Sequence, residues 1–272
     1  MKKNRILQTL ILILCINLAA CHKPEAANVI RVGTIAGPET QLMQAAKKVA
    51  LQRFGLHVKI VTFNDYIQPN SALVDGDIDA NSFQHLPYLE AQNKAHDWHL
   101  VAVAKTFLYP MAIYSNKYTR LQKLPHGGKI ALPNDPSNET RALLLLQQQH
   151  VITLRHGQTE LTPDAITNNP KRLTFETFDA AFLPRTLDDV DAAIINTTYA
   201  QPAGLKASQA LARENTHSRY TNVIATTQTL AASKKIQELV KAFQSAPVLA
   251  KAKSLFGNNA IAGFKLAPEN NH

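Results

Sequence analysis

The chain is almost without cysteine: the two copies, Cys15 and Cys21, both fall within the first 21 residues. No disulfide can therefore form further along. About 250 residues must hold together through an apolar core alone, a length at which that is feasible. A membrane-spanning run is lacking near the start as well. The apolar stretch Ile6 to Ile16 has eleven residues, well short of the ~20 needed to cross hydrocarbon. There is no Gly-x-Ser-x-Gly elbow, no pair of carboxylates beside a plausible base and no arginine-rich run. Low-complexity segments and short-period repeats are also missing. These absences weigh against an enzyme, a nucleic-acid binder and a repeat protein.

What is present at the N-terminus has a clear order. Lys2, Lys3 and Arg5 precede the apolar stretch, and Leu18-Ala19-Ala20-Cys21 follows it. A basic start, a short greasy run and small residues before a cut site make residues 1–20 a signal peptide. The Leu-Ala-Ala-Cys stretch resembles the lipobox of bacterial lipoproteins, in which Cys21 becomes the acylated first residue. Residues 21–28, with Pro24 and little that can pack, form a tether. The expected location is the extracytoplasmic face of a cell membrane, held by lipid; His22 after the anchor leaves inner against outer membrane open. The formal net charge of +9 falls by three when Lys2, Lys3 and Arg5 leave, and the remaining basic residues are dispersed. Attraction to anionic headgroups accounts for them more simply than nucleic acid does.

From Val29 onward, short β-branched runs alternate with segments of helical period. Val29 to Ile35 is a strand. Leu42, Ala45, Ala46, Val49, Ala50 and Phe54 recur at spacings of three and four along a helix that Gly55 ends. His57 to Phe63 is a second strand, and Asp77 to Ala80 a third after a short helix. The cadence restarts after Tyr109-Pro110, with strands at Lys129 to Leu132, Leu173 to Phe175 and Asp191 to Ile195, and a helix from Glu139 to Gln149. A strand near Tyr220 to Ala225 precedes a helical tail from Ser233 to Phe256. Strand, helix, strand in this cadence gives parallel sheets covered by helices. The fold class is α/β, in two lobes: residues 28–111 plus 224–272, and residues 112–223. Ligand clefts in such sheets lie beyond the carboxyl ends of strands.

Six segments in order then become specific: Val32-Gly33-Thr34-Ile35-Ala36-Gly37-Pro38-Glu39, Phe63-Asn64-Asp65-Tyr66, Gly76 to His85, Pro133 to Asn138, Leu183-Pro184-Arg185 and Ile194 to Ala200. Together they resemble the methionine-binding lipoprotein family (MetQ/NlpA), over essentially the whole chain from Val29 to Phe256. The resemblance implies a type II periplasmic-binding-protein fold with an interlobe ligand cleft. It also implies capture of L-methionine and delivery to an ABC permease and ATPase complex, without catalysis and without a cofactor.

A zwitterionic thioether needs an anion site, a cation site and an apolar slot. Arg141 suits the carboxylate through the two parallel bonds its planar fork can give, near the start of a helix that itself favours an anion. A surface arginine is the alternative on the residues alone. The family places Asn-x-x-Arg here, matched by Asn138 and Arg141. Asn196 ends an apolar strand, where its carbonyl can accept from an ammonium and its amide can donate to a carboxylate; a turn-forming asparagine reads equally well. Asn222, beside Tyr220, is a second such candidate, and the resemblance carries both asparagines to the ligand. For the thioether the candidates are Tyr66, Phe83, His85 and Tyr88, which by spacing alone are as readily core. The family often has Lys after this His, where the present chain has Leu86, and that leaves the surroundings of His85 open.

Other functions remain on the residues. Another small amino acid or a methionine-containing dipeptide would fit a similar cleft. A metal ion is suggested only by His96-Asp97-Trp98-His99, whose spacing lacks the third and fourth ligands a zinc site needs. The acidic run from Asp75 to Asp79 lacks the cadence of a calcium loop and reads as a turn. A structural or adhesive lipoprotein would need no cleft at all.

Overall fold

A computed structural model describes residues 28–216 and 218–266. The leader, Cys21 and most of the tether lie outside the described residues. Two five-stranded sheets, each covered by helices, form two lobes joined by two crossover segments.

The first sheet begins with β1 (Val29–Ile35), α1 (Pro38–Phe54) and β2 (His57–Phe63), then α2 (Gln68–Val74), β3 (Ala80–His85), α3 (Leu86–His96) and β4 (Leu100–Lys105). β5 (Phe107–Leu108) starts the first crossover. The second lobe holds β6 (Ala112–Tyr114), β7 (Lys129–Pro133), α4 (Pro136–Gln148), β8 (Thr153–Leu154), β9 (Ile166–Asn168), β10 (Thr174–Phe178), β11 (Ala192–Ile195), the one-turn α5 (Thr197–Ala200) and β12 (Ala212–Arg213). The chain returns through β13 (Asn222–Thr227) and ends in α6 (Lys234–Phe243), α7 (Ala246–Phe256) and β14 (Ile261–Ala262), which pairs with β5.

Strand order is β2-β1-β3-β13-β4 in one sheet and β10-β7-β11-β6-β12 in the other. In each, three parallel strands are followed by one reversed strand, β13 or β6, and then by β4 or β12 running with the first three. This shared plan brings the carboxyl ends of β3 and β11 toward the cleft, where Phe83, His85 and Asn196 sit. One core packs α1, α6 and α7 on the first sheet through Leu42, Met43, Ile236, Leu239 and Phe256. The second lobe has cores on both faces of its sheet, around Leu143 and Ile194 and around Leu183 and Ile195. No helix among the described residues is long and apolar enough to cross a membrane.

Three of the differences from the sequence expectation have a local cause. The third strand starts at Ala80, not Asp77, because Asp77 and Ile78 close the end of α2 through bonds to Ala72 O, and Asp79 pairs with Arg31. The tail is two helices: Pro247, at the start of α7, has no N–H to give and turns the preceding residues from helix, so Ser245 is extended. β13 begins at Asn222 and pairs with β3 in the first sheet, so the chain regains the first sheet slightly before Ile224.

Candidate functional site

All eight residues singled out in the sequence line one cleft between the lobes: Tyr66, Phe83, His85, Tyr88, Asn138, Arg141, Asn196 and Asn222. They enclose a small space, and none is more than 9% exposed. The lobes meet around it. His85 Nε2 lies 3.1 Å from Asn138 Oδ1, and the Tyr66 and Tyr199 rings are 4.9 Å apart.

The wall from the first lobe is aromatic. Tyr66, Phe83 and Tyr88 sit with centroids 5.8 to 6.0 Å from one another in tilted and edge-on pairs, the arrangement ring quadrupoles prefer. β3 holds this wall because it is buried along its length. Its polar side chains are satisfied by their own network: Asn81 and Gln84 both donate to Asn70 Oδ1 on α2, and Asn70 donates back to Gln84 Oε1. His85 is the N-cap of α3, its Nδ1 accepting from Tyr88 N at 3.1 Å. Since Nδ1 accepts, the proton is on Nε2, which donates to Asn138. Burial, with the Arg141 charge nearby, lowers the His85 pKa to about 3, so the ring is neutral. Leu86 is exposed, and the surroundings of His85 come from Asn138, Tyr88 and Tyr220 instead.

The wall from the second lobe is polar. Asp135 caps α4, accepting from Asn138 N and Nδ2 and from Ser137 Oγ, and Pro136 opens the helix. Residues three apart share a helix face, so Asn138 and Arg141 both enter the cleft. Asn138 Oδ1 also accepts from Asn196 Nδ2 at 2.9 Å. The Asn196 Oδ1 is left buried with no protein partner. That oxygen is an acceptor waiting for a donor, since leaving it unpaired costs roughly 1–3 kcal/mol. Asn222 donates to Phe83 O and ties the return strand to the aromatic wall.

Two sequence expectations change here. The anion position at the start of α4 is already taken by the Asp135 carboxylate. The Arg141 fork is also engaged: Nε lies 3.2 Å from both Glu214 carboxylate oxygens, and Nη2 bonds Glu214 Oε2 and Tyr109 O. Two parallel bonds to a ligand are not available, and Nη1 is the group that remains. The Asn196 amide gives one of its two N–H groups to Asn138, so its second N–H and its carbonyl both stay open to a ligand.

Several residues of the site escaped the sequence reading. Gln84, Tyr109, Thr197 and Thr198 complete the cleft lining. Glu39 lies at the seam beside it and accepts from Thr198 Oγ1 across the lobes at 2.8 Å, while its Oε2 is buried without a partner. Burial raises its pKa to about 8, against the lowering effect of the Thr198 bond. Gly37, one residue before α1, has φ 121°, and a Cβ there would come within 3.3 Å of Pro202 in the other lobe. The Val-Gly-Thr-Ile-Ala-Gly-Pro-Glu segment was a signal for this seam, although nothing in it told which partner it would meet.

The sequence model of the NlpA lipoprotein family matches residues 30–264. The chain belongs to the NlpA lipoprotein family. It is 44% identical over 253 residues to the D-methionine-binding lipoprotein MetQ of Escherichia coli strain K12, covering 91% of this chain and 93% of that one. An ABC transporter periplasmic substrate-binding protein from Coxiella burnetii superposes with a TM-score of 0.83 at 53% identity, covering 86% of this chain and 99% of the other. A nutrient binding protein from Burkholderia cenocepacia, bound to methionine, superposes with a TM-score of 0.85 at 47% identity over 86% and 100%. The two-lobe α/β fold of this NlpA family member is therefore that of periplasmic substrate-binding proteins.

Proposed function

We propose that this chain is a lipid-anchored binding protein that encloses methionine between its lobes and hands it to an ABC permease and ATPase complex. The observation that carries this reading is the pairing of a dry ring wall with the open acceptor of Asn196 and the free Nη1 of Arg141 in one closed cleft. The ligand carboxylate takes Nη1, the ammonium donates to Asn196 Oδ1, and the side chain lies against Tyr66, Phe83 and Tyr88. Burying that side chain contributes about 1.5–3 kcal/mol, and sulfur at ring edges adds about 0.3–1.5 kcal/mol. The chain performs no chemistry on its ligand. Acylation of Cys21 would hold it at the membrane, and the relatives' names and the methionine-bound neighbour support the choice of ligand.

Calorimetry with both enantiomers of methionine, and with glutamate and lysine, tests the reading. Methionine should bind, and the two charged side chains should not, because the ring wall offers them no partner. Equal affinity for all three amino acids would remove the ring wall from the site.

A further inference from the structure

Arg141 is the cleft's fixed cation, yet it is not alone. Glu214 lies directly behind it on the second crossover, with side-chain exposures of 4% for Arg141 and 9% for Glu214. The carboxylate accepts from Nε and Nη2 of Arg141, from Met111 N on the first crossover at 3.2 Å and from Ser218 Oγ at 2.7 Å. Glu214 N in turn donates to Met111 O at 2.9 Å. Above the guanidinium, the Tyr220 ring stacks with its centroid 4.7 Å from Cζ. Glu214 and Tyr220 thus hold the guanidinium on two sides, and Tyr109 O closes a third. Glu214 itself does not line the cleft.

We propose that Glu214 is a positioning and specificity-determining residue, which cancels the Arg141 charge and leaves only Nη1 for the ligand. This rests on the amino-acid-binding reading of the cleft. An Arg141 without a counter-charge would make the site net positive and favour a bare carboxylate over a zwitterion. With Glu214 present the pair sums to zero, so beside this pair a ligand with one charge of each sign is better matched than a bare carboxylate. The ammonium feels the negative charge of Glu214 through a low-dielectric interior, where such interactions persist over several ångströms. Because Glu214 bonds Met111 as well, the same carboxylate ties the ligand's cation partner to both crossovers.

The test compares methionine with 4-(methylsulfanyl)butanoate, which is the same molecule without its amine, by calorimetry on the full chain. In the unmodified protein methionine should bind at least a hundredfold more tightly. Glu214→Gln, which keeps the shape but not the charge, should shrink that ratio tenfold or more. Glu214→Asp, which keeps the charge, should preserve it. A merely structural role would weaken both ligands together and leave the ratio unchanged; a ratio moved by less than twofold in Glu214→Gln overturns the proposal. Should that variant fail to fold, the unmodified protein decides: equal binding of the amine-free acid and methionine overturns it, and a ratio lost in Glu214→Asp does the same. Failure of methionine to bind the unmodified protein would instead sink the ligand assignment.

Discussion

The two walls of the cleft solve different problems by different means. The first-lobe wall is rings and buried neutral groups: Tyr66, Phe83 and Tyr88 pack on one another, and His85 is kept uncharged by burial. The second-lobe wall keeps a full charge, but only as a pair, with Glu214 on Arg141 and Asp135 on the helix start. Shape and dryness come from one lobe, charge and hydrogen-bond direction from the other. Neither wall is a site without its partner, because a ring wall alone cannot orient a zwitterion and a polar wall alone stays wet.

The comparison breaks most sharply at Arg141. Arg141→Ala should weaken methionine binding by about 2–5 kcal/mol, and it should also lower the unfolding temperature because the buried Glu214 carboxylate is stranded. Calorimetry and thermal unfolding measured together check both. A loss of affinity under threefold would take Arg141 out of the site.

The next effect is pH, read at the seam. Where parting of the lobes exposes both side chains to water, Glu39 and His85 take their ordinary values near 4.5 and 6.5; closed, they sit near 8 and 3. Closure therefore takes up a proton at Glu39 between pH 4.5 and 8 and releases one at His85 between pH 3 and 6.5. From 4.5 to 6.5 the two cancel. Above 6.5 only Glu39 remains, and closure weakens as pH rises toward 8, by up to about tenfold per unit. Below 4.5 the release at His85 weakens closure as pH falls toward 3, offset in part by Asp135, whose carboxyl pKa is raised by burial. Tyr66, Tyr109 and Tyr199, the ionisable side chains around Glu39, have pKa values raised by burial and stay neutral throughout. Affinity against pH should be a plateau with two falling limbs. Glu39→Gln should abolish the alkaline limb, and His85→Asn, which can still cap α3, the acid limb. An affinity flat from 6.5 to 8 in the unmodified protein would contradict this.

The smallest effect isolates the rings. Methionine should outbind norleucine, which has a methylene for the sulfur, by about 0.3–1.5 kcal/mol. Phe83→Leu should shrink that gap while leaving the loss caused by Arg141→Ala unchanged, since the two side chains belong to opposite walls. A gap untouched by Phe83→Leu would mean the sulfur lies elsewhere.

Sequence pattern carried β1, α1 and β2 through their local periodicity, whereas the eight cleft residues came from resemblance to the family; on the residues alone Arg141 read equally as a surface arginine, Asn196 as a turn former and the rings as core. What it missed depends on contacts far along the chain. Glu39 meets Thr198 at a separation of 159 residues and Arg141 meets Glu214 at 73, and nothing near either acid marks its partner. The same holds for the fork of Arg141, whose chemistry suggested two ligand bonds until a second carboxylate took that edge. The split of the helical tail was the exception, because Pro247 stood in plain view and only its consequence for Ser245 went unread.

Every cleft-lining side chain singled out in the sequence is nearly sealed from solvent, and this has a kinetic consequence. An occupant enclosed between the lobes as proposed leaves when the lobes swing apart. Residence time should then follow the frequency of that swing more than the strength of any single contact. Cargoes that differ tenfold in affinity could depart at nearly the same rate, the difference lying in how readily each one lets the shell shut.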